Sequence, residues 1–190
     1  MDVLISLAVG LGLAAACGFR VFVPLLAASI AAHGGHLELA AGFDWIGSTA
    51  AMVAFGTATL LEVGAYYIPW LDHALDAVTT PAAVLAGMFA SASVIVDMPP
   101  LLKWSVVLVG GGGIAGLTQG ATVALRAKSG LFTGGLANPG VSTLELVSSA
   151  ATAILAIVVP VVALVLVIVM VVVSVRLVRR FMARRRAAET

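Results

Sequence analysis

"AACGFRVFVPLL", residues 15–26, places Arg20 inside an apolar run, between Gly18 and Pro24. The run itself extends over residues 3–32. At 1.5 Å rise per residue it is longer than the roughly 20 residues that one upright membrane helix needs. Either the segment tilts, or it breaks near Gly18–Pro24, where glycine loosens the backbone and proline removes a donor. In a continuous helix Arg20 would lie mid-membrane and would have to face the protein interior or a wet cavity. In a helix ending near residue 23 it would snorkel to the interface. A third role is pairing with a buried acid.

The rest of the chain explains why a charge there is conspicuous. Of 190 residues, 62% are hydrophobic and 10% charged, and the mean hydropathy is +1.16. Soluble domains carry about 25% charged residues. A chain of this length has no way to hide so much apolar surface from water, which points to lipid as its solvent. The formal net charge of +1 conceals an asymmetry. Six of ten basic residues are tail arginines (176, 179, 180, 184, 185 and 186), while the body holds four basic residues against eight acids, a net of −4. The positive-inside rule places such a tail, residues 176–190, in the cytoplasm. Contact with anionic lipid, not nucleic acid, is its expected role. Cys17 is the only cysteine, so no internal disulfide forms. Residues 1–16 contain Asp2 and no basic residue, and the chain stays apolar after Cys17. They read as half of a membrane helix rather than as a signal or lipoprotein leader.

Five membrane segments are expected in an all-α, polytopic transmembrane helix bundle: about 3–32, 47–68, 81–97, 101–125 and 143–175. The fifth is also over-long and contains Pro160; a tilted or kinked helix is the simplest reading. Segment 81–97 is short, and either spans or re-enters.

Rare letters suggest an internal repeat in residues 1–175. Ser6, Gly10, Ala14 and Gly18 fall opposite Gly112, Gly116, Gly120 and Ala124, and each stripe is followed by an arginine, Arg20 or Arg126. Small residues at spacing four let helices approach closely in lipid, within a subunit or in a homo-oligomer. The second helix of each half carries an acid, Glu62 or Glu145. The halves are then about 3–68 and 101–175, linked by 81–97. They are inverted if that linker spans and parallel if it re-enters, and inverted repeats are common in transporters.

The candidate pathway residues follow from these charges. Economical pairing joins Arg20 with Glu62, and Arg126 with Glu145. "LDHALD" puts Asp72 and Asp76 on one helix face, with His73 beside them. That face suits an ion vestibule or a wet interfacial turn; a metal site would need three or four convergent ligands, so no metal or other cofactor is expected. "HGGH" (33–36) reads as a flexible loop. "GGGG" (110–113) lacks the Lys-Ser/Thr of a phosphate loop and suits close packing or a local helix break. In "GGLANPGVSTLE" the run Asn138–Pro139–Gly140 is turn chemistry, and Ser142 or Thr143 is placed to cap the helix carrying Glu145; such a helix start is either an ordinary loop and cap or an anion site on the pathway, with Asn138 at it. No Gly-x-Ser-x-Gly, HExxH or paired cysteine occurs, so an enzyme is not expected.

The blocks "ACGFRVFVPLL", "TLLEVGAYYIPWLDHALDAVTTPAAVLAG" and "GGLANPGVSTLE" resemble a bacterial family of small integral membrane proteins catalogued as domain of unknown function 4126. The resemblance runs to about residue 160 and leaves out the arginine-rich tail. It implies a bacterial membrane protein and carries no established activity. The expectation is a small transporter or channel-like permease of the bacterial inner membrane, acting on an ion or small solute. The alternative is a structural or accessory protein that binds lipid or a partner helix.

Overall fold

The helix that enters "AACGFRVFVPLL" stops at Cys17. In this computed structural model, which describes the backbone of residues 2–68, 71–134 and 136–188 and the side chains of 2–68, 77–134, 136–176 and 179, α1 spans Val3–Cys17 and α2 spans Phe22–His33. The N–H groups of Gly18, Phe19 and Arg20 turn back onto the carbonyls of Ala15 and Ala16. These tight bonds satisfy carbonyls that a helix end otherwise leaves open. The chain then reverses. Ala40, just beyond α2, donates to the Ser93 carbonyl at 2.7 Å, and nearby Ser91 donates to the Gly10 carbonyl of α1. A helix continuing in the direction of α1 would not bring residue 40 back level with residue 10. Residues 3–32 are a helical hairpin.

A 3-10 turn, Asp44–Gly47, leads into α3, Thr49–Ala65, and then comes α4, Leu71–Val94. Residues 100–133 are continuously helical in three parts. They are α5 (Pro100–Ser105), a π-helical stretch (Val106–Gly112) and α6 (Gly113–Thr133). The glycines at 110–112, poor helix formers, lie in that wider turn. Helix α7 is Asn138–Val158 and α8 is Pro160–Ala188.

The fifth expected segment is also two helices, not one kinked helix. Val159 leaves the helical region, and Pro160 opens the next helix. A β-carbon on Gly12 would meet both Ala156 and Ala163. In a continuous helix those two alanines would lie about 10 Å apart along the axis. Instead α8 folds back on α7.

Among the described residues seven helical rods therefore alternate in direction, with α5 to α6 counted as one. Among the described residues three stretches are long and apolar enough to cross a membrane: 77–94, 100–133 and 138–158. Helices α1, α2 and α3, with 15, 12 and 17 residues, are apolar but shorter. Large apolar side chains such as Leu60, Val109 and Leu131 point outward. In water such a surface would drive association; in lipid it is matched to its solvent.

Helix α1 is central. Leu13, Ala14, Ala15, Ala16 and Cys17 are buried, and α4, α7, α8, α2 and α6 pack around it. Helix α4 runs the full length of α1 in the opposite sense. Gly87 lies by Ala14, Ser91 by Gly10, and the Val96 N–H points to the Ser6 hydroxyl at 3.4 Å. Segment 81–97 therefore passes through the bundle and does not re-enter. Small residues set the spacing: a β-carbon on Gly87 would sit 2.5 Å from the Ala115 β-carbon.

The inverted arrangement of the repeat is overturned. Leu11 lies by Gly110, and Gly18 lies by Ala115 and Thr118, so α1 and α6 run in the same direction. The first segment contributes two passes instead of one, and this changes the parity between the stripes. The second helices, α3 and α7, run oppositely, because Glu62 lies near the end of α3 and Glu145 near the start of α7. No single rotation superposes α1 on α6 and α3 on α7 together.

Candidate functional site

A buried polar centre forms where α1 breaks. Arg20 is only 1% exposed. Its Nη2 donates to the Ser142 carbonyl at 3.0 Å and to the Ser142 hydroxyl. The same nitrogen lies 3.4 Å from Glu145 Oε2. The guanidinium carbon sits 3.9 Å from the centre of the Tyr66 ring, a cation–π contact. Nε and Nη1 of Arg20 are buried and make no hydrogen bond.

Arg126, from α6, grips the same carboxylate. Its Nε donates to Glu145 Oε1 at 3.2 Å and its Nη2 to Oε2, in a bidentate fork. Its guanidinium lies 4.2 Å from the centre of the Tyr66 ring. The Arg126–Glu145 pair expected from the sequence is therefore present, and Glu145 also receives Arg20.

The Arg20–Glu62 pair is not formed. Glu62 accepts the backbone N–H groups of Val21 at 2.7 Å and Phe22 at 3.0 Å, and makes no ion pair among the described residues. The reason is the break itself. The first N–H groups of α2 have no partners within their own helix, and the positive end of the helix favours a carboxylate. Pro24, in the same turn, brings no N–H that needs an acceptor.

A second polar layer lies under Tyr66. Its hydroxyl is 2.9 Å from Thr79 Oγ1, which also accepts from Gln119 Nε2 at 3.2 Å. Asn138 is buried at the start of α7. Ser142 and Thr143 do not cap that helix, because it begins at Asn138 with Pro139 in its first turn, a position that suits proline. Ser142 serves Arg20 instead, and the Thr143 hydroxyl donates to the Pro139 carbonyl.

Asp72, His73 and Asp76 belong to the first turns of α4, and their side chains lie outside the described residues. Among the described residues no group of three or more His, Cys, Asp and Glu side chains is placed to hold a metal ion. His33 lies at the far end of α2, its Nδ1 hydrogen-bonded to the Gly47 carbonyl at 2.8 Å. "HGGH" thus begins with a tethered histidine and turns at Gly35, whose φ is +72°.

Residues 7–180 fit the family described as a domain of unknown function, DUF4126. The chain belongs to this family. The match extends past residue 160 to Arg180, so the start of the arginine-rich tail is part of the DUF4126 region. No curated protein and no solved structure matches the chain.

Several members of the polar centre of this DUF4126 chain escape a search for charges alone. Tyr66 reads in sequence as part of an interfacial belt, yet it is 5% exposed and lies against both arginines. Gln119, Thr122 and Arg126 on α6 are all buried, as are Asn138, Ser142, Glu145 and Ser149 on α7. Each set falls at spacings of three, four or seven, one face of a helix. Polar periodicity is the signal that locates these faces.

Proposed function

We propose that this DUF4126 protein is a small permease or channel-like transporter of the bacterial cytoplasmic membrane, passing an ion or small solute by way of the centre around Arg20. The observation that carries this reading is Arg20 itself. It is almost wholly buried, yet two of its three guanidinium nitrogens make no hydrogen bond. Buried donors are normally satisfied, and an arginine recruited only to hold helices together would be expected to use its whole fork. Its position supports the same reading, since the turn between α1 and α2 is buried, and non-helical backbone within a membrane bundle is tolerated where protein encloses it or a water-filled path runs beside it.

Charge supports an orientation. Outside the polar centre, Lys103 lies at the end of the bundle that carries Glu38 and Asp97, whereas Lys128, Arg176 and Arg179 lie toward the other. By the positive-inside rule the second end is cytoplasmic, with the C-terminus, and the N-terminus is outside. Gly120 on α6 has open space beside it. This small, open position suits close packing against a second copy, as a homo-oligomer would require.

The accessory-protein reading has an observation of its own: Arg126, Glu145 and Glu62 are all engaged in bonds that join helices. Flux in proteoliposomes separates the two. Arg20→Ala and Glu62→Gln, each confirmed as folded, should reduce flux of an ion or small anion by about tenfold or more, the effect of one lost charge-assisted bond. Unchanged flux of every solute tested would sink the permease reading. A fall in folded yield without any flux in the parent protein would support the accessory one.

A further inference from the structure

We infer that the crevice between α2, α3 and α4 binds an apolar chain headed by one neutral hydrogen-bond donor, a long-chain alcohol in chemical terms, with the head on Glu62. The crevice has a volume of about 500 Å³ and is lined by Val21, Phe22, Leu61, Val78, Glu62 and Thr79 among others. Leu61 and Val78 are exposed on the outer surface of the bundle, so the opening faces lipid. Apart from Glu62 and Thr79 the lining side chains are aliphatic or aromatic.

Two observations select the head group. The Thr79 hydroxyl already contacts Tyr66 and Gln119. Glu62 has spare capacity: each oxygen accepts one backbone N–H, and a carboxylate offers about four lone-pair sites. The lining therefore includes one carboxylate with unused acceptor capacity among apolar side chains, and a ligand that bonds to it must bring a donor. Charge selects a neutral donor over an ammonium. The described side chains of the centre comprise two arginines, Arg20 and Arg126, and two acids, Glu62 and Glu145, which balance. A cationic head would add an unbalanced charge beside two guanidiniums in a low-dielectric setting. An alcohol adds a hydrogen bond without one. Binding alone is inferred, and the inference does not rest on transport.

Dicyclohexylcarbodiimide, an apolar carboxyl reagent, reports on the site in membranes containing the intact protein. Peptide mapping should place its adduct on Glu62. Oleyl alcohol should slow that labelling, and its methyl ether, which lacks the donor, should protect about tenfold more weakly, as expected for one hydrogen bond to a charged group. Ala58 also lines the crevice, one turn before Glu62 on α3, and Ala58→Phe should fill it and remove the difference between alcohol and ether while leaving thermal stability close to that of the parent. Equal protection by the alcohol and the ether would overturn the assignment of the head. Stronger protection by oleylamine than by the alcohol would overturn its neutrality. Failure of all three to protect, or an adduct elsewhere, would overturn the site.

Discussion

Glu62, near the end of α3, holds the backbone N–H of Val21 at 2.7 Å and so anchors the start of α2. The carboxylate does the work of a helix cap from a different helix, and through it the break at Gly18–Val21 is tied to the outer part of the bundle. Removing it strands two N–H groups in an apolar setting. Glu62→Ala should lower stability by about 1–3 kcal/mol, the cost of leaving buried donors unmet. Glu62→Gln should cost less, because its amide oxygen still accepts one N–H. Thermal unfolding in detergent micelles would rank the two, and equal stability of Glu62→Ala and the parent would contradict the cap.

Glu145 serves two guanidiniums, Arg20 and Arg126. Removing one member of a buried pair typically costs about 3–5 kcal/mol, because the other charge stays buried. Glu145→Ala should therefore be more damaging than Arg126→Ala. A double-mutant cycle between residues 126 and 145 should show coupling well above the value for an exposed pair, about 0.2–1 kcal/mol. Denaturant titration of the four proteins measures it.

Gly87 and Gly120 should respond in opposite ways. A β-carbon at 87 meets Ala115 and the Gly111 carbonyl, whereas one at 120 meets open space. Gly87→Val should destabilise by about 1–3 kcal/mol through overpacking. Gly120→Ala should be neutral or stabilising by up to about 1 kcal/mol, since alanine is the better helix former. Paired melting curves in one detergent would test the contrast. Because the curves follow the fold of one chain, a contact of Gly120 with a second copy would appear instead as weaker self-association of Gly120→Ala, read by light scattering.

Cysteine labelling tests the path of the chain. Cys17 is fully buried, so the parent protein should resist a membrane-impermeant maleimide. Glu38→Cys and Lys128→Cys lie at opposite ends of the bundle, both exposed. In intact cells the first should label, and the second should label only after permeabilisation. Labelling of both from the same side would refute the alternating path.

Much of the candidate site was legible one residue at a time. Arg20, Glu62, Arg126 and Glu145 stand out because charges are scarce and costly in an apolar chain. Their partners were less legible. Pairing charges by economy assigned Glu62 to Arg20, but a broken helix offers backbone donors that compete for a carboxylate, and residue letters do not display those donors. Tyr66 and Ser142 looked like an interface aromatic and a cap because neither role depends on what lies across the bundle.

Composition marked this chain as built for lipid, and its long unbroken apolar runs, far longer than a barrel strand needs, marked it as helical. It also marked the stretches 3–32 and 143–175 as too long for one upright span. Only the tertiary structure decided that both fold into hairpins, that α1 and α6 run in the same direction, and that Glu145 joins two arginines. The physical reason is that glycine and proline permit a break without setting the direction in which the chain leaves it. That direction comes from contacts made far along the chain: Glu62 on the first turn of α2, Ser93 on Ala40, and Gly12 between Ala156 and Ala163.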